Sequence, residues 1–228
     1  MEGRLFTFLG SIGGHGQEWI ILSHFVLVVG IIFLIARSAT KRLQLVPTGA
    51  QNVMETFIGG IISVGADTMG EKNARTYMPL IASLALVIVC ANLIGVVPGF
   101  ESPTANINFT LSLALIVFVY YNYLGIKKNG FFNYFKHFMG PMPILAPLMF
   151  PIEIVSHISR IVSLSFRLFG AIRGDDMFLM VLLMLTPWLV PLSGFFMLTA
   201  FGVLQAFVFA ILTYVYIAGS IMMHEEDH

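Results

Sequence analysis

Three stretches of this chain, residues 19–36, 77–97 and 107–126, carry no formally charged side chain. Each is close to the roughly 20 residues a helix needs to cross the hydrocarbon core of a bilayer. In lipid every backbone N–H and C=O must be satisfied within the segment, so such stretches can only be helices. The composition agrees, because only 11% of the residues are charged, against about 25% in soluble globular proteins. A water-soluble domain of this length could not cover itself with so few charges.

Residues 152–186 and 192–223 are two longer stretches, both free of proline. As helices they would measure about 52 and 48 Å at 1.5 Å per residue, and the bilayer core is only about 30 Å thick. They must tilt strongly or run partly along the membrane. Pro187 and Pro191 mark the turn between them, which predicts a slanted helical hairpin. In residues 51–69 apolar positions are interrupted by Glu55, Ser63 and Asp67, the pattern of an amphipathic helix lying on the membrane surface. Residues 138–151 contain Pro141, Pro143, Pro147 and Pro151. Proline removes a backbone donor and clashes with the preceding turn, so a broken or interfacial connector is expected there. The predicted fold class is an all-α polytopic membrane protein, residues 1–228 forming one membrane domain. It has about five membrane-crossing helices and one amphipathic surface helix, and it ends in the long tilted hairpin.

Lys and Arg near span ends set orientation. Arg37, Lys41 and Arg42 follow the first span, Lys72 and Arg75 precede the second, and Lys127, Lys128 and Lys136 follow the third. The opposite loops, 98–106 and 187–191, have no Lys or Arg. This predicts residues 1–18 outside, the basic loops in the cytoplasm and the C-terminus inside. Residues 1–17 carry Glu2 and Arg4 and a glycine-rich stretch without an apolar core, which does not read as a removable signal peptide. A bacterial plasma membrane fits best.

Six charged side chains fall in one predicted membrane helix: Glu153, Arg160, Arg167, Arg173, Asp175 and Asp176. An arginine at the centre of such a helix costs about 2.5–3.5 kcal/mol on insertion scales, so the group needs a reason. At about 100° per residue, Glu153, Ser156, Arg160, Ser163, Gly170, Ala171 and Gly174 lie within about 60° of Arg167, a polar and small-residue face. Small residues there let another helix approach closely. Asp176 lies about 180° away on the same construction. Arg173 and Asp176 are spaced as a local ion pair, and Arg160 could snorkel to the cytoplasmic side. Arg167 has no acidic residue three or four positions away in its helix, so its partner must lie elsewhere, in this chain or another.

These residues also carry a resemblance. Residues 163–170, Ser-Leu-Ser-Phe-Arg-Leu-Phe-Gly, and 204–207, Leu-Gln-Ala-Phe, resemble the signature of the a subunit of the F-type ATP synthase membrane sector, as do residues 46–52 and 91–95. The resemblance runs from about residue 18 to residue 223. It implies a stator lying against a rotating ring of c subunits, each with one membrane-embedded carboxyl group, and two offset half-channels that connect those carboxyls to the two sides. Arg167 matches the arginine between the half-channels and Gln205 its neighbour on the next helix. Asp176 matches an acidic position of the outer half-channel, and Asn92 a polar position on the same path. Glu153 matches an acidic position at the inner exit, with Ser156 and His157 close by, and Ser163 is assigned to the proton path. Many members pair the outer acid with a histidine, and here Leu198 occupies that position. The outer path is therefore expected to work differently, through Asp175, Arg173, Asn106 or Asn108. Implied partners are the c-ring, the peripheral-stalk b subunits, other ATP synthase subunits and the lipid bilayer, with no nucleic acid. No cofactor is implied.

Other residues have plainer readings. Cys90 is the sole cysteine, which leaves no internal disulfide and predicts a packed thiol. His24 is expected to be packed or interfacial, and His157 either lines the exit path or is solvated. Asn106 and Asn108 read as caps of the third span. There is no Gly-rich Lys-Ser/Thr phosphate loop and no metal-ligand cluster, so the chain is not expected to be an enzyme on its own. The competing reading is a secondary transporter for a small anion, with Arg167 as counter-charge. Such transporters usually show internal repeats and more spans, and no clear repeat is present.

Overall fold

The computed structural model describes residues 17–41, 43–97, 99–130, 146–185 and 190–222. Regular structure among them is helical: α1 (Gln17–Thr40), α2 (Ala50–Met69), α3 (Glu71–Val96), a 3-10 turn at Pro103–Ala105, α4 (Ile107–Asn129), α5 (Ala146–Leu185) and α6 (Val190–Met222). Among the described residues, four helices contain spans long and apolar enough to cross a membrane, Ile21–Thr40, Glu71–Val96, Ile107–Lys128 and Pro191–Ile221. The fifth predicted crossing, α5, carries the six charges and packs against α4 and α6.

Local chemistry sets the helix ends. Asn106 caps α4, its side-chain oxygen accepting from the Asn108 N–H at 2.9 Å. Lys127 and Lys128 sit in its last turn, where cations meet the negative end of the helix dipole. Asn108 is not a cap and lies exposed in the first turn. Gly70 alone separates α2 from α3, with φ +81, a conformation that side-chain-bearing residues rarely adopt.

The structure corrects several boundaries. α1 runs on to Thr40 and α3 starts at Glu71, because polar residues can extend a helix beyond the apolar stretch. The expected proline-broken connector does not extend to residue 151. α5 begins at Ala146 and includes Pro151. Pro147 falls where the first-turn N–H groups have no helical partner anyway, and Pro151 removes only one bond just beyond that turn. Residues 138–145, Pro187 and the predicted external N-terminal segment up to residue 16 lie outside the described residues.

α6 is the hub and touches α2, α3, α4 and α5. Its Phe209, Tyr214 and Ile217 are buried with Ile61 of α2, Ile81 and Ile88 of α3, Tyr121 of α4 and Leu168 of α5. α1 packs at the side, Val28 meeting Cys90, Ala91 and Ile94 of α3. The predicted amphipathic helix is present as α2. Glu55, Ser63 and Asp67 are on its exposed side, while Ile61, Gly65 and Met69 are buried.

Candidate functional site

The α5–α6 hairpin is in register, with Gly194 against Leu179 and Leu182 near the turn and Arg160 5.6 Å from the Tyr216 ring at the far end. That register brings Gln205 within about one helical turn of the level of Arg167. Arg167 is exposed, and among the described residues it makes no hydrogen bond or ion pair. Ser163, Phe166, Gly170 and Gly174 are exposed beside it. A Cβ built on Gly170 or Gly174 meets nothing within 4 Å. Across the hairpin Phe201 and Leu204 are exposed as well, and Gln205 is half-buried. The result is an apolar, small-residue surface interrupted by one guanidinium.

Asp176 faces the other way. It shares a cavity with Asp175, Asn92, Ser102, Leu198 and Gly202, so α5, α3, α6 and the loop after α3 all contribute walls. The cavity is large enough for one ordered water. Asn92 is buried and bonded at both ends of its amide. Its Nδ2 donates to the Gly202 carbonyl at 2.9 Å, and its Oδ1 accepts from Thr104 Oγ1 at 2.6 Å. Ser102 Oγ lies 2.5 Å from Thr104 Oγ1 and donates to the Ala91 carbonyl. Gly95 makes this close packing feasible, since a Cβ there would fall 2.5 Å from Ser102 Cβ.

At the N-terminal end of α5 a second polar group forms. His157 is buried, with Nδ1 3.2 Å from the Glu153 carbonyl and 3.5 Å from Glu153 Oε1. Its ring lies 5.9 Å from that of Tyr121. Ser156 is half-buried nearby in the same helix.

The structure therefore brings Asn92, Asp175, Asp176 and Leu198 together, sets Glu153 with His157, and leaves Arg167 with Ser163 and Gln205 on the uncovered face. It does not join Asn106 or Asn108 to the Asp176 cavity lining. Arg173 stays near enough to Asp176 to act on it electrostatically, but its close contacts are longer-range: its Nη2 is 3.8 Å from Glu101 Oε1, and its Nε donates to the Ala105 carbonyl at 3.0 Å. Glu101, Ser102, Thr104 and the Thr110–Ser165 hydroxyl contact at 3.1 Å were not legible in the sequence. Their partners lie far along the chain, and no spacing rule links them. His24 is packed as expected, with Nε2 accepting from the Glu101 N–H at 3.2 Å.

Residues 19–218 match the family described as the ATP synthase A chain. The chain is 84% identical over 228 residues to ATP synthase subunit a of Aliarcobacter butzleri, all of both chains being covered. It is 58% identical over 227 residues to ATP synthase subunit a of Nitratiruptor sp., again across 100% of each. With that of Helicobacter hepaticus the identity is 56% over 226 residues, 99% of this chain and 100% of the relative. A family pattern over most of the helical body, and relatives that match from end to end, mean that this chain belongs to the ATP synthase A chain family, the a subunits of the F-type membrane sector.

Proposed function

We propose that the chain is the proton-path stator of the ATP synthase, with Arg167 as the electrostatic gate between two offset half-channels. The observation that carries this reading is Arg167 itself, exposed on a small-residue face and without a partner among the described residues. A charge left so in an apolar surface calls for an outside carboxylate. The c-ring carboxyls supply one in turn. Arginine stays protonated even when buried, so it cannot relay a proton. It favours the ionised form of a carboxyl group brought beside it. Each ring carboxyl then releases its proton before passing Arg167, and the positive charge repels a proton leaking straight across. Gln205 neighbours the gate from α6. The Asp176 cavity, with Asp175 and Asn92, serves the outer side. Glu153, Ser156, His157 and Ser163 serve the inner side. ATP chemistry belongs to other subunits, and b subunits of the peripheral stalk hold the chain against the ring. The setting is a bacterial plasma membrane, with the N-terminus outside and the C-terminus in the cytoplasm.

In membrane vesicles carrying the assembled complex, Arg167→Lys is expected to abolish ATP-driven proton pumping without loss of assembly, because lysine loses the planar fork and can shed its proton. Arg167→Ala is expected to let protons leak without rotation. Near-normal coupled pumping by Arg167→Lys would refute the reading. A small-anion transporter would hold its counter-charge inside a substrate cavity, whereas this arginine lies on an outward-facing surface.

A further inference from the structure

We propose that Glu101 collects protons at the outer mouth of the Asp176 cavity, and that Arg173 is the positioning residue that holds it there. The inference rests on the proton-path reading above.

The α6 wall of this cavity presents Leu198 and Gly202, neither of which can carry a proton. The transfer group facing Asp176 must come from another element. The titratable and charged groups around the mouth are His24 from α1, Glu101 from the loop after α3, and Arg173, Asp175 and Asp176 from α5. Arginine does not release its proton. His24 is 1% exposed and its Nε2 already accepts the Glu101 N–H. Asp175 and Asp176 line the cavity itself. Glu101 stands at the edge, with 42% of its side chain exposed, and the adjacent Ser102 is part of the cavity wall.

Three contacts keep Glu101 in place. Its N–H is tied to His24, its carboxylate faces Arg173 at 3.8 Å, and Arg173 Nε grips the same loop at the Ala105 carbonyl. Arg173 is itself 42% exposed, so the pair bridges the outside and the interior. Only O–H bonds change in the transfer. A hydronium ion gives its proton to the Glu101 carboxylate. Glu101 passes it through water to Asp176 in the cavity, and from Asp176 it continues by water along the outer half-channel to the ring carboxylate. Each acid returns to its anionic form, and Arg173 remains the fixed positive charge beside them.

The test uses vesicles whose outer membrane face meets the buffer and follows gradient-driven ATP synthesis as outer pH is varied. Glu101→Gln keeps an oxygen acceptor for Arg173 and the backbone bond to His24, but cannot carry a proton. The outer proton concentration for half-maximal synthesis is expected to rise about tenfold, the low end of the gain a charged cleft gives to capture. Glu101→Asp is expected to restore most of it. Arg173→Gln, which leaves Glu101 unheld, is expected to shift the profile in the same direction. An unchanged outer-pH profile in either Glu101→Gln or Arg173→Gln overturns the proposal. Arg167→Lys vesicles measured alongside separate the two readings. If they still synthesise ATP, the stator reading falls. If they are silent while Glu101→Gln behaves as wild type, only the Glu101 proposal falls.

Discussion

Asn92 uses both ends of its amide, donating to Gly202 of α6 and accepting from Thr104 of the loop after α3. A single side chain thus ties three pieces of chain around the cavity that holds Asp176. Asn92 lines the cavity, and one N–H and one lone pair of its amide go to holding the walls together. Thr104 is 0% exposed, so its hydroxyl cannot be replaced by solvent. Thr104→Val is nearly isosteric, yet it leaves the Asn92 oxygen without its donor and Ser102 without its neighbour. A buried polar group so orphaned costs about 1–3 kcal/mol. The thermal midpoint of the purified protein in detergent is expected to fall for Thr104→Val and to stay near wild type for Thr104→Ser, which keeps the hydroxyl.

At the scale of elements, much of the fold could be read directly. The uncharged runs at 77–97 and 107–126 became α3 and α4, because in lipid a continuous apolar run of this length satisfies its own backbone only as a helix. The alternation of Glu55, Ser63 and Asp67 with apolar residues became the exposed side of α2. The helical period that set Asp176 opposite Arg167 also survived, since it depends only on geometry within one helix. What could not be read were contacts between distant segments, such as Arg173 with Glu101 or Gly65 with Tyr214. A Cβ on Gly65 would lie 2.5 Å from the Tyr214 ring, and nothing local to residue 65 announces it. This contact seats α2 on α6, and Tyr214 is 0% exposed, with little room to move. Gly65→Ala is therefore expected to destabilise by about 1–3 kcal/mol through overpacking. Gly59→Ala, in the same helix with nothing within 4 Å of the new Cβ, is expected to be neutral or to stabilise by up to about 1 kcal/mol through helix propensity. Thermal unfolding of the two variants in detergent checks the contrast. A common loss would mean that α2 is sensitive to any substitution, not to its seat on Tyr214.

At the scale of the whole molecule, the hairpin has two unlike sides. One is packed against α3 and α4 and encloses the Asp176 cavity. The other is uncovered, with Arg167 between Phe166 and the open positions at Gly170 and Gly174. An intramolecular role for those glycines would place neighbours near their Cβ positions, and among the described residues none lies within 4 Å. Small residues on such a face leave room for another helix to come close, as the proposed ring helix would. Gly170→Leu separates these possibilities. In this chain alone the larger side chain has room and replaces a poor helix former with a good one, so the thermal midpoint in detergent is expected to hold or rise. In the assembled complex it would stand where the proposed ring slides past Arg167, and on that reading ATP-driven pumping is expected to drop at least tenfold. Unimpaired pumping by Gly170→Leu would mean that the ring does not pass over this face, and the partner for Arg167 would have to be sought elsewhere.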